Sequence, residues 1–132
     1  GLAALQFAGG MNTDGWVAGA VHFKLSYGAV NAGINGLDGG DLQGATVVGA
    51  GEWSHMALAV SETRAAIYLN GQVEDSRDLA APLTNLIVGG ASLGAWNNNG
   101  SNEREMCVEM ADVRIYVRAL SEGELLFMAD HR

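Results

Sequence analysis

The sequence predicts an all-β fold, a sandwich or barrel of short antiparallel strands that ends in a short helix. Three observations lead to this prediction. Glycine accounts for 19 of the 132 residues and proline for 1, a composition typical of many tight turns. Short apolar runs, several with strict alternation, recur between those turns. A helical signal appears only near the carboxyl end.

The clearest predicted element is a meander of three antiparallel strands. Two apolar runs, 53–60 and 65–69, are separated by a short polar stretch with the length of a hairpin connection. Asn70-Gly71 supplies the positive φ angles of a type I′ turn, so the third strand folds straight back through Val73. The rest of the chain must pack on this meander or pair with its edges.

Alternation and turn residues predict the other strands. Apolar and polar residues alternate from 21 to 26, which is the pattern of a strand with one buried face. The same alternation in a long predicted strand at 103–117 directs Val113, Ile115 and Val117 inward. The predicted strands outside the meander cover 2–8, 16–27, 29–34, 45–48, 83–88 and 103–117. The predicted loops and surface segments cover 9–15, 35–44, 74–81 and 91–102.

The hydrophobic period changes at the carboxyl end. Ser121 and Glu124 have the spacing of a capping box, in which each side chain accepts a hydrogen bond from the other residue's backbone N–H. Leu125, Leu126 and Met128 then form an apolar face. This pattern predicts a short helix that begins directly after Ser121.

The composition fits one globular domain over residues 1–132 and excludes several classes of partner. Hydrophobic residues make up 48% of the chain and charged residues 17%. A net charge of -8 with a single lysine excludes the basic patches that bind nucleic acid or anionic membranes. No apolar run is long enough to span a membrane, and no signal-peptide pattern is present. Cys107 is the only cysteine, so no internal disulfide is expected.

Three motifs resemble a known family. Residues 52–72 read EWSHMALAVSETRAAIYLNGQ, residues 82–90 read PLTNLIVGG and residues 111–125 read ADVRIYVRALSEGEL. In this order they resemble the laminin-G-like jelly rolls of the concanavalin A-like lectin/glucanase superfamily. The resemblance implies a two-sheet antiparallel jelly-roll sandwich. The 51 residues before the first motif are few for the family, which indicates a single domain that lacks N-terminal strands.

The same resemblance implies a non-catalytic carbohydrate-binding or adhesion module of a secreted or cell-surface protein. Its partner would be a glycan or another cell-surface ligand. Members of the family often hold a structural Ca²⁺, and Asp112 is the acid at the matching position, with Ala111 in place of a second acid. Asp38 and Asp41 are oxygen ligands of the type that Ca²⁺ takes, but the interpretation of both as turn residues is favoured.

Two polar loops with tryptophan are the predicted ligand-binding loops. A sugar site needs an aromatic face for the C–H side of the ring and amides or carboxylates for the hydroxyls. In the competing interpretation Trp96 packs into the sandwich and its loop has no ligand. The predicted ligand-binding residues are Asn12, Asp14, Trp16, Trp96, Asn97, Asn98 and Asn99.

No catalytic residue is predicted. Trp53 and His55 fit a packed interior better than a reactive site, because a lone histidine needs a partner to do chemistry. Glu105 and Glu109 have the spacing of a glucanase acid and nucleophile, but Cys107 stands where the middle acid of that motif would be. A glycoside hydrolase is therefore the least favoured function.

A structural role is the main alternative to glycan binding. A sheet edge left open by the short N-terminal part would invite a strand from a neighbouring chain. The protein would then be a subunit of an extracellular assembly or filament that self-associates through that edge.

Overall fold

The computed structural model describes residues 2–8, 19–83, 86, 90–98 and 101–131. Within this part the chain forms short antiparallel strands and one helix. The strands are β1 (Leu2–Ala8), β2 (Val21–Ser26), β3 (Ala29–Ile34), β4 (Leu42–Val47), β5 (Met56–Val60), β6 (Arg64–Leu69), β7 (Gln72–Asp78), β8 (Gly90–Leu93), β9 (Trp96–Asn98) and β10 (Ser101–Glu103), and the helix is α1 (Glu122–Asp130).

Two packed sheets and a small hairpin make up the fold. The large sheet has the order β4-β3-β2-β1-β8, the meander sheet has the order β5-β6-β7, and β9 pairs with β10. Every pairing is antiparallel. The arrangement is the two-sheet antiparallel sandwich that the sequence predicts.

The predicted meander is confirmed. β5 pairs with β6 from Met56 opposite Leu69, and β6 pairs with β7 through the turn at Asn70-Gly71. Both turn residues have positive φ, 50° and 78°, as a type I′ turn requires. The Asn70 side chain also accepts a hydrogen bond from the His55 backbone N–H at 2.9 Å, which ties the start of β5 to the turn.

The main core lies between the two sheets. Alternate residues of the large sheet meet alternate residues of β6, so the period-2 pattern seen in the sequence becomes one apolar layer. Its buried members are Val21, Phe23, Val30, Ala32, Ile34, Leu37, Leu42, Ala65, Ile67 and Leu69.

The helix covers the outer face of the meander sheet. Leu125 packs there on Ala66 and Tyr68 in a second buried cluster. The predicted capping box at Ser121 and Glu124 is confirmed, with the two reciprocal bonds at 2.8 and 3.3 Å. Hydrogen bonds from the Arg118 guanidinium and from Ser121 lower the pKa of Glu124 to about 2. The cap therefore stays ionised over the whole physiological pH range.

Acidic side chains of β7 close the free edge of β4. Glu74 accepts hydrogen bonds from the backbone N–H groups of Ala45 at 3.0 Å and Thr46 at 2.9 Å. Asp75 accepts from the Gln43 N–H at 2.9 Å. Edge N–H groups that would otherwise be free to pair with another strand are satisfied within the chain.

The predicted long strand at 103–117 is wrong. β10 ends at Glu103, and the described residues from Arg104 to Leu120 belong to no strand. Arg104 and Asp112 adopt positive φ, 53° and 57°, which interrupts an extended run at two points. Alternation reports which residues share a face, whereas a strand also needs a neighbour with which to pair.

Three smaller predictions are also wrong. The predicted loop at 91–102 contains most of β8 together with the β9–β10 hairpin, and the polar segment 74–81 continues β7 as far as Asp78. Trp53 is 58% exposed instead of packed in the interior. The predicted strand at 83–88 lies largely outside the described residues. No helix in the described part of the chain is long and apolar enough to cross a membrane.

Candidate functional site

The structure describes only some of the predicted ligand-binding residues. Asn12, Asp14, Trp16 and Asn99 lie outside the described residues, so their role remains a prediction. Asn97 and Asn98 form the backbone of β9 after Trp96, and their side chains are not among those described. Trp96 is therefore the predicted ligand residue whose surroundings can be followed in detail.

Trp96 lies in a cluster of aromatic and basic side chains, which we call the Trp96 cluster. It pairs with Glu103 across the β9–β10 hairpin, and the next residue, Arg104, places its guanidinium carbon 4.1 Å from the indole centroid. The His22 ring lies 5.9 Å from the indole centroid at an interplanar angle of 64°. A backbone bond of 2.7 Å from Met106 N–H to the carbonyl of Gly94 holds the hairpin closed behind these side chains.

Two donors in this cluster are not used within the described part of the protein. The indole N–H of Trp96 is buried and has no hydrogen-bond acceptor there. The Arg104 guanidinium lies over the ring, whereas the other described arginines bind carboxylates or backbone carbonyls. A buried N–H without an acceptor costs free energy, so such a group is a natural point for a ligand oxygen.

The cluster adjoins a row of polar side chains on the outer side of the large sheet, which we call the polar face. Because Val21 and Phe23 point into the core, His22 and Lys24 point to the other side of β2. His22 and Lys24 are two residues apart on one face, about 7 Å along the strand. The pairing register then places Lys24 opposite Asn31 and Asn31 opposite Gln43.

Hydrogen bonds fix the polar face. Asn31 is 3% exposed and donates from Nδ2 to Gln43 Oε1 at 2.8 Å, while its Oδ1 has no donor among the described residues. Lys24 Nζ lies 3.2 Å from Asp41 Oδ2. The Asp41 carboxylate occupies the space over Gly33, where an added Cβ would lie 3.1 Å from Asp41 Oδ1. Together these groups form a hydrogen-bonded polar network that holds one buried acceptor, Asn31 Oδ1, with no donor among the described residues.

The described acids do not form a recognisable metal centre. No group of three or more His, Cys, Asp or Glu residues among the described residues could hold a metal ion. Both carboxylate oxygens of Asp112 accept from the Arg114 guanidinium, at 2.7 and 2.8 Å. The donor set around Asp112 therefore does not fit Ca²⁺, which needs six to eight oxygen ligands. Asp41 is likewise bound to Lys24.

The glucanase-like carboxylates are not presented on a strand. Glu105 and Glu109 lie in the segment after β10 that belongs to no strand, with Cys107 exposed between them. A pair of catalytic carboxylates needs a fixed separation across the scissile bond. His55, the other candidate from the sequence, is half-buried at the start of β5.

The sequence did not predict the polar face or the contact between Arg104 and Trp96. Alternation in β2 shows that His22 and Lys24 share a face, but only the strand register reveals Asn31 and Gln43 beside them. Arg104 lies two residues after the predicted polar loop at 91–102. Its contact with Trp96 depends on the hairpin pairing of β9 with β10.

The two-sheet fold defines the class of protein, a lectin-like jelly-roll sandwich. The family model for the concanavalin A-like lectin/glucanases superfamily (the Laminin_G_3 model) matches residues 5–126. The chain belongs to this superfamily, as its three motifs indicate. No curated protein matches the chain.

Two solved structures share the fold. The CBM40 of the Ruminococcus gnavus IT-sialidase matches with a TM-score of 0.76 at 19% identity, over 96% of this chain and 73% of that one. An S-layer domain-containing protein from Clostridium thermocellum matches with a TM-score of 0.53 at 22% identity, over 92% of this chain and 58% of that one. At these identities the likeness is one of fold, and it confirms the predicted jelly-roll sandwich.

Proposed function

We propose that the protein is a non-catalytic carbohydrate-binding module that holds its glycan at the Trp96 cluster and the adjoining polar face. The observation that carries the proposal is the partly buried indole of Trp96, whose N–H lacks an acceptor among the described residues, beside the guanidinium of Arg104. Membership of a lectin-like superfamily and the fold shared with a carbohydrate-binding module support it.

The recognition would combine an aromatic contact with hydrogen bonds to ring hydroxyls. Carbon-bound hydrogens of a sugar pack on an indole, while hydroxyls both donate and accept hydrogen bonds. Trp96 and Arg104 supply the aromatic ring and hydrogen-bond donors, and the His22 ring on β2 lies next to them. The predicted loop residues Asn12, Asp14 and Trp16 would extend this surface.

The chemistry of the described residues favours binding over hydrolysis. Glu105 and Glu109 are not held on a strand, and Asp41, the acid on the polar face, binds Lys24. We infer that the module belongs to a secreted or cell-surface protein, where a glycan-binding function would serve adhesion or targeting.

A glycan array tests the proposal. Wild-type protein is expected to bind a defined glycan class, and Trp96→Ala is expected to lose about fivefold or more in affinity, since one aromatic stacking contact contributes about 1 kcal/mol or more.

Trp53→Ala is the matched control for the array, because Trp53 is a 58% exposed tryptophan at the start of the meander sheet. It is expected to bind as the wild type does. Absence of glycan binding by the folded wild type, or equal binding by Trp96→Ala, would contradict the proposal.

A further inference from the structure

Arg104 is the first residue after the β9–β10 hairpin, and its backbone turns sharply there. Its φ is 53°, a left-handed conformation that is unfavourable for a residue with a side chain. Two residues later the Met106 N–H bonds the carbonyl of Gly94 at 2.7 Å, so the chain folds back on the start of the hairpin. The guanidinium carbon of Arg104 then lies 4.1 Å from the indole centroid of Trp96. A strained backbone at this position accompanies a specific placement of a charged side chain.

The Arg104 side chain combines a ring contact with exposure to solvent. The residue is exposed although its guanidinium lies over Trp96. A guanidinium that stacks on an aromatic face keeps its N–H donors at its edge, where two of them match two oxygens of a carboxylate or a sulfate. The ring contact also restricts the side chain, so less rotamer freedom is lost when a ligand binds. Arg104 therefore presents an accessible, preorganised pair of donors.

The other described basic side chains already bind oxygen atoms of the protein. Their partners are carboxylates or backbone carbonyls, and these side chains are Lys24, Arg64, Arg77, Arg114 and Arg118. The formal net charge of the chain is -8, and Glu103 and Glu105 flank Arg104 in the sequence. The protein as a whole therefore repels an anion, so a preference for an anionic ligand requires a specific local contact.

We propose that Arg104 makes the glycan site selective for an acidic saccharide, one that carries a carboxylate or a sulfate group. This inference rests on the proposed glycan-binding function and assigns its ligand class. The anionic group accepts two hydrogen bonds from the edge of the guanidinium, while the sugar ring lies beside the indole. Trp96 is also a positioning residue, because its ring holds the guanidinium in place. A neutral saccharide gains the ring contact but nothing from the charge of Arg104.

Matched pairs of oligosaccharides test this selectivity. Each pair consists of a uronic-acid-containing or sulfated oligosaccharide and its neutral counterpart, made by reduction of the carboxyl groups to alcohols or by desulfation. Affinities for the wild type are measured by calorimetry. The wild type is expected to bind the acidic member of a pair at least about fivefold more tightly than the neutral member. The carboxylate pair and the sulfate pair distinguish the two possible anionic groups.

Substitutions of Arg104 assign the preference to its guanidinium. Arg104→Gln is expected to abolish the preference for the acidic member, because glutamine donates hydrogen bonds but carries no charge. Arg104→Lys should retain only part of it, since an ammonium group is a point charge without the planar fork. Arg64→Gln removes an exposed arginine from the meander sheet and is the matched control, with the wild-type preference expected. Thermal unfolding shows that each variant is folded before its binding is measured.

The possible outcomes separate this inference from the proposed function. Failure of the folded wild type to bind any saccharide contradicts both. Equal affinities for acidic and neutral members, in a wild type whose binding depends on Trp96, leave glycan binding in place and overturn the selectivity. A preference that persists in Arg104→Gln also overturns it, because the anionic group is then recognised elsewhere. An equal loss of the preference in Arg64→Gln would show that general charge, rather than Arg104, causes it.

Discussion

Gly71 is the residue at which the meander sheet meets the helix. A Cβ added there would lie 2.6 Å from the Cα of Leu126 and 2.9 Å from its Cδ1. Because the first of these atoms is backbone, the helix would have to move to make room. Gly71 also has a φ of 78°, a conformation that costs a residue with a side chain about 1–2 kcal/mol. Both the turn and the close contact with the helix therefore require a residue without a side chain at position 71.

We therefore expect Gly71→Ala to lower the free energy of unfolding by about 2–5 kcal/mol, the sum of backbone strain and overpacking. Chemical denaturation followed by circular dichroism measures this loss. Gly51→Ala is the matched control, because Gly51 has the same φ of 78° with no atom within 4 Å of an added Cβ. It isolates the backbone cost. Equal losses in the two variants would show that α1 does not lie where the structure places it.

At the scale of elements, the contact between β7 and the edge of β4 joins the two sheets. Burial alone would raise the pKa of Glu74, but the hydrogen bonds from Thr46 and Ala45 outweigh it, and the pKa is lowered from the ordinary 4.5. A folded-state pKa below the unfolded value means that ionised Glu74 stabilises the fold at pH above 4.5. This contribution is lost as the pH falls through the lowered value.

Glu74→Ala is expected to lose about 1–3 kcal/mol of stability at pH 7, because edge N–H groups lose their acceptor. The difference from wild type should shrink on acidification below pH 4.5, as the wild-type carboxyl becomes protonated. Urea unfolding at a series of pH values measures it. Glu62→Ala, at an exposed site in the β5–β6 connection, serves as the control with no comparable loss. A Glu74→Ala difference that does not change with pH would contradict this account.

The helix and the meander could be predicted from the sequence because each is specified by residues close together in the chain. Asn70-Gly71 and the Ser121–Glu124 box act within a few residues, and the structure confirms both. The strand predicted at 103–117 is wrong because alternation within a segment does not show whether another strand lies beside it. The polar face was equally inaccessible, since Asn31 and Gln43 meet only through the register of β3 with β4. Trp96 could be selected by type alone, but Arg104 over its ring could not.

At the scale of the whole molecule, the proposed glycan site joins elements that are far apart in the chain. Trp96 lies on β9, whereas His22, whose ring lies 5.9 Å from the indole centroid, lies on β2 of the large sheet. The folded sandwich brings these side chains together, so a glycan bound there would bind the folded state and stabilise it.

A glycan that binds the wild type is therefore expected to raise its unfolding temperature in a concentration-dependent way. Trp96→Ala should show a smaller rise at the same glycan concentration, because it removes the aromatic contact of the proposed site. Scanning calorimetry with and without free glycan provides the measurement. An equal rise in the two proteins would show that the glycan binds away from Trp96.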